Sequence, residues 1–143
     1  MKVLIRERLN KYLEENRDRP FEWGVNDCFT FTNNAFKAMY GFGWADDWGD
    51  RYLKDKTPLR RRELMVEFRY NSFEKAVDER LQRVDHIPPL GALVTTKQAE
   101  KWIIGVAMGI CTGTKTVFLS KKGVIYLPLD YIHQSWVKPN EQI

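Results

Sequence analysis

The chain has only two cysteines and two histidines among 143 residues, and that scarcity excludes several classes of protein. Cys28 and Cys111 cannot supply the disulfide framework that holds small secreted domains together. A structural zinc site takes about four Cys or His ligands at characteristic spacing, and Cys28, His86, Cys111 and His133 show none. No metal and no cofactor is therefore expected. No run approaches the roughly 18 consecutive apolar residues of a membrane span, and no signal-like apolar stretch follows Met1 and Lys2, so synthesis in the cytoplasm of the producing cell is expected. Repeats, low-complexity tracts and long linkers are also missing, so a single domain over residues 1–143 is predicted.

Aromatic residues are plentiful, with 5 Trp, 6 Tyr and 8 Phe, so the core and any contact surface should be rich in rings. The net charge of +4 is modest. Its densest cluster, Arg60, Arg61 and Arg62, is interleaved with Asp55, Glu63 and Glu67 and reads as a solvated helix face, so nucleic acid is not the expected partner. An RNA surface would need aromatics alternating with Arg or Lys on strands, which the later strand-like runs lack.

Val3, Leu4, Leu9, Tyr12 and Leu13 recur at helical spacing and predict an amphipathic first helix that Pro20 ends. A second helix should start at Cys28, with Phe31, Ala35 and Met39 on one stripe, and end at Gly41. A Gly- and Trp-rich connection over 41–49 leads into 51–84, where Leu64, Phe68, Phe73, Val77 and Leu81 suggest two further helices broken near Asn71 and Ser72. From His86 onward the pattern changes to short β-rich runs at 90–95, 102–111, 116–119 and 124–127, with turns at 112–115 and 121–123. Helices followed by a small antiparallel meander make an α+β plan, the helical N-terminal half packed on one face of a sheet from the C-terminal half. Within 104–111, Gly105, Ala107, Gly109 and Cys111 share one face. That small-residue face could admit the helix carrying Cys28, or equally a loop or a neighbouring subunit.

The residues with the most chemical content lie at 20–28. Pro20 and Gly24 punctuate a turn, Asn26 or Asp27 can cap the next helix, and Cys28 sits in that helix's first turn. Unpaired backbone N–H groups and the positive end of the helix dipole favour a thiolate there and should lower the cysteine's pKa. A nucleophile also needs a base, and His86 and His133 are the only imidazoles that could supply one. The competing reading is that Cys28 is a small buried hydrophobe at a helix start. Trp23 is expected as a turn or core anchor, while Trp44 and Trp48, in the Gly-rich loop, are the candidates for an exposed partner-binding surface.

Trp23-Gly24 followed by Asp27-Cys28, a helix ending in Tyr40-Gly41, and Gly109-Ile110-Cys111-Thr112-Gly113 resemble the NlpC-type branch of the papain-like cell-wall peptidases. With Pro20-Phe21, Val117-Phe118-Leu119 and Leu127-Pro128-Leu129 added, the chain is similar to the small phage-encoded branch found among tail genes. The resemblance implies a papain-like fold, Cys28 as nucleophile, a histidine opening a central strand, a third polar residue on the next strand, and cleavage of peptide bonds in peptidoglycan. It departs at two places. Ala107 occupies the histidine slot, and Gly91-Ala92 replaces the Gly-Asp pair of the preceding strand. The resemblance therefore implies a degenerate site in a virion or tail protein, synthesised in the host cytoplasm, whose partners are other virion proteins. Two alternatives stay open. One is an active peptidoglycan endopeptidase that recruits His86 or His133; the other is a basic adaptor near the portal or connector whose Arg60–Arg62 stripe touches DNA.

Overall fold

In the computed structural model, which describes residues 2–70, 72–99 and 105–139, the N-terminal half is helical and the C-terminal half is an antiparallel sheet. The first helix, α1 (Lys2–Asn16), buries Ile5, Leu9 and Leu13 against the second, α2 (Cys28–Tyr40). Gly41 ends α2 in the left-handed conformation with φ 89°, a backbone shape that glycine adopts without steric cost.

A two-stranded hairpin, β1 (Leu53–Lys54) and β2 (Thr57–Pro58), precedes α3 (Arg61–Phe68) and α4 (Phe73–Asp78). The two helices predicted in 51–84 are thus present but short. Ser72 caps α4 by accepting from the Lys75 N–H at 3.2 Å, and Asn71 lies outside the described residues. The main sheet comprises β3 (Gln82–Val84), β4 (Leu93–Thr96), β5 (Ala107–Cys111), β6 (Thr116–Ser120), β7 (Gly123–Leu127) and β8 (Ile132–Val137), in the order β3-β8-β4-β5-β6-β7. The meander β4 to β7 follows the predicted runs in order, but the run over 102–111 is strand only from Ala107: Gly105 and Val106 precede β5, and positions 102–104 lie outside the described residues. The patterning did not predict β3 and β8, and β8 inserts between β3 and β4.

That insertion curls the sheet. Flat, β7 and β8 would stand four strand spacings apart, about 19 Å. The Leu127 to Ile132 link reaches about 18 Å at full extension, and it contains a 3-10 turn (Leu129–Tyr131) that shortens it well below that. The strands must therefore wrap towards a barrel. The curl separates two apolar clusters. Leu93, Met108, Ile110, Val117 and Trp136 face the helices, while Ala92, Val94, Ala107, Cys111, Phe118 and Val137 fill the inside of the curl.

This partition corrects one expectation. The small-residue face of β5 does not receive the helix carrying Cys28; it lines the curled interior. Small residues are needed there because β6 supplies a large one: Gly109 pairs with Phe118, and a Cβ at Gly109 would come within 2.6 Å of the Phe118 ring.

Candidate functional site

The 20–28 segment folds back on itself before α2 begins. Glu22 and Asn26 exchange backbone hydrogen bonds at 3.0 and 2.8 Å, and Gly24 between them takes φ 82°. The Asn26 side chain donates to the carbonyls of Arg19 and Pro20 at 3.1 and 2.9 Å, so it ties the loop together and does not cap the helix. Asp27 is the cap. Its Oδ1 accepts from the Thr30 N–H at 2.8 Å while Thr30 Oγ1 accepts from the Asp27 N–H at 2.8 Å, a reciprocal capping box. Its Oδ2 accepts from the Gly24 N–H at 2.8 Å and from the Tyr52 hydroxyl. The carboxylate is buried, and it has three donors. Burial, reinforced by the adjacent carboxylate, raises the Tyr52 pKa far above its ordinary range and keeps the hydroxyl a donor.

Cys28, the next residue, is 5% exposed. Its thiol is pushed up to about 12 by burial and then by the Asp27 carboxylate, while backbone hydrogen bonding at Met108, Cys28 and Phe29 pulls the other way. The expected lowering of its pKa is thus reversed, and magnitudes say why. A helix terminus contributes about 0.3–1 kcal/mol to a nearby charge, up to about 2 in partly buried settings. A rise from 9.0 to about 12 corresponds to something on the order of 4 kcal/mol against the thiolate. Desolvation wins, and the buried-hydrophobe reading describes this cysteine.

Nor, among the described residues, does an imidazole face it. On β5 the residue on the Cys28 side is Met108, whereas Ala107, the slot implied by the resemblance for a histidine, points into the curled interior with Ala92 and Cys111. His86 is exposed in the connection after β3, its Nδ1 2.9 Å from the Ile87 carbonyl. His133 is exposed on β8, opposite the register shift between Thr95 and Thr96. Among the described residues neither imidazole hydrogen-bonds to Cys28, and no three His, Cys, Asp or Glu side chains converge as metal ligands. Both cysteines are free and buried in different clusters.

Trp44 and Trp48 also need correcting: they are 3% and 5% exposed, and they are core, not surface. Their loop is strapped to α2 by Asn33, which donates to Asp46 at 2.8 Å and accepts from the Ala45 N–H at 2.8 Å. The strap turns both indoles inward, where their ring centres lie 5.4 and 5.5 Å from that of Phe29. Trp44 Nε1 donates to Thr32 Oγ1 at 3.1 Å, and the Arg80 guanidinium covers the Trp48 ring at 4.4 Å. Trp23 is half-buried against Phe21 and Tyr52, the anchor that was expected.

Two clefts open near this end of α2. A polar hollow of about 240 Å³ is bordered by Gly24, Thr30, Asn33, Asp46 and Tyr52, and a more apolar one of about 100 Å³ lies along α3 and α4. Cys28 is not among the described residues that border either. Among the described residues, no helix is long and apolar enough to cross a membrane. A family model described as a domain of unknown function, DUF6950, matches residues 2–137. No curated protein and no solved structure matches the chain.

Proposed function

The chain belongs to the DUF6950 family, and we propose that it is a non-catalytic, papain-like NlpC-type protein that serves as a structural or assembly component of a phage tail or virion. The sequence similarity over 20–28 motivates the placement in a virion. In support of the fold, the helix that begins at Cys28 packs on β5 and β6 of a curled antiparallel sheet. The observation that carries the loss of catalysis is the state of Cys28: it is buried, its thiol is pushed up to about 12 by burial and then by the Asp27 carboxylate, and among the described residues no imidazole bonds to it. At pH 7 such a thiol is ionised in only about one molecule in 10⁵, too few for amide attack without a base.

The test has two arms. Purified protein incubated with cell-wall sacculi should release no stem peptides beyond the level of Cys28→Ala, and antibody or mass analysis of purified particles from a phage encoding the chain should find it in the virion. Release that depends on Cys28 would overturn the loss of catalysis. Absence from particles would overturn the virion placement.

A further inference from the structure

Along α3 the surface carries charge that folding does not use. Arg60, Arg61 and Arg62 are exposed, and among the described residues none pairs with a carboxylate. The two acids on α3 are already engaged: Glu67 pairs with Arg51 at 3.0 Å, and Glu63 accepts from the Arg60 backbone N–H at 3.1 Å. Positive charge at a helix N-terminus opposes the helix dipole, which favours acidic groups there. The cluster therefore works against α3 unless something negative sits over it.

Arg61 also borders the apolar cleft, whose other walls include Leu64, Met65, Phe68 and Trp48, together with one carboxylate, Glu74, among the described residues. At about 100 Å³ the cleft is well below the roughly 300–1,000 Å³ of small-molecule sites, so it suits one side chain and not a cofactor. Met65, which borders the cleft with Arg61, is 38% exposed and gives the rim an apolar edge. A one-residue apolar socket beside unpaired charge has the form of a hot-spot pocket with a steering rim.

We propose that this face of α3 and α4 docks an acidic segment of a partner protein, which inserts one aromatic or large aliphatic side chain into the cleft and lays carboxylates over Arg60, Arg61 and Arg62. Charge complementarity selects the occupant. A second copy of this chain would bring a net +4 to a positive face. Single-stranded nucleic acid would stack on rings presented as an open platform, whereas these rings wall a narrow socket. The proposal holds whether or not the partner belongs to a virion.

The test titrates the full chain into a fluorescent peptide of Asp and Glu residues around a central Trp. Matched peptides carry a central Gly, or Lys in place of the acids, and an oligothymidylate serves as the nucleic-acid probe. The expected result is saturable binding of the acidic Trp peptide, weakened by about tenfold or more, about 1.4 kcal/mol, by the central Gly and by Arg61→Glu/Arg62→Glu. Both arginines are exposed, so that variant should keep the parent circular dichroism spectrum. Three outcomes would overturn the proposal: no binding, equal binding by the Gly or Lys peptide or by the charge-reversed protein, or tighter binding of the oligothymidylate.

Discussion

The Tyr52 hydroxyl donates to the Asp27 carboxylate at the first turn of α2, and both side chains are buried. The pair joins the loop before β1 to the helix that carries Cys28, and among the described residues no cation pairs with the buried Asp27. Removing the hydroxyl leaves that carboxylate one donor short. Tyr52→Phe should therefore cost about 1.5–3 kcal/mol, the range for a hydrogen bond to a charged group, and the cost should appear as a lower urea midpoint at unchanged slope. A midpoint equal to the parent's would show that the pair contributes nothing to stability.

Stability should fall in alkaline solution, with Cys28 as one cause. Its folded pKa is raised from 9.0 to about 12, so between those values the unfolded chain releases a proton that the folded chain keeps. With fewer protons bound in the unfolded state, the unfolding free energy falls as pH rises. The contribution is fully present below about pH 9 and lost as pH climbs towards 12. Tyr52 and Cys111 are shifted in the same direction and add to the slope. Urea melts from pH 8 upward should decline by up to about 1.4 kcal/mol per pH unit for each such group. Cys28→Ala should be less steep than the parent by up to one proton's worth. An identical slope in the variant would mean that Cys28 titrates normally when folded.

The aromatic loop should matter for folding. Trp48 is enclosed by Phe29, Trp44 and Phe68, with the Arg80 guanidinium across it and Arg80 paired to Asp47. Trp48→Ala removes a buried ring and should cost about 3–5 kcal/mol, measured by urea unfolding. A loss of only a few tenths would restore the loop as a surface feature.

The contrast between that loop and α2 shows what the sequence could convey. The span of α2 was legible because its signals are local: a capping Asp27, an apolar stripe at helical spacing, and Gly41 at the end. The strands of the meander were legible for the same reason, through alternation and turns. Inside and outside were not. Alternation on β5 defines two faces but does not say which one meets the helices; that depends on the curl imposed by β8, whose place between β3 and β4 leaves no mark in local pattern. Gly-rich spacing made Trp44 and Trp48 look exposed, because the strap from Asn33 to Asp46 that turns them inward joins residues far apart in the chain. The Cys28 site was half legible. Its position at a helix start could be read, whereas its burial and the Tyr52 partner are tertiary facts. Burial of two large side chains, Tyr52 and Met108, gave no pattern by which either could have been singled out.

The face assignment on β5 yields the sharpest test of the histidine slot that the sequence resemblance implies. Ala107 and Met108 are neighbours on opposite sides of the strand, both buried, with Met108 on the side of Cys28. Ala107→His would push an imidazole into the curled interior beside Val94 and Phe118, and overpacking should cost about 1–3 kcal/mol. It should leave the reaction of Cys28 with iodoacetamide as slow as in the parent. Met108→His sends the imidazole towards α2 instead, and where the variant stays folded it should shift the onset of Cys28 alkylation to lower pH, since an imidazolium favours a nearby thiolate. The readout is the alkylation rate of Cys28 against pH, resolved by peptide mass analysis from that of Cys111. Faster alkylation in Ala107→His than in Met108→His would reverse the assignment of faces and reinstate position 107 as the one opposite the cysteine.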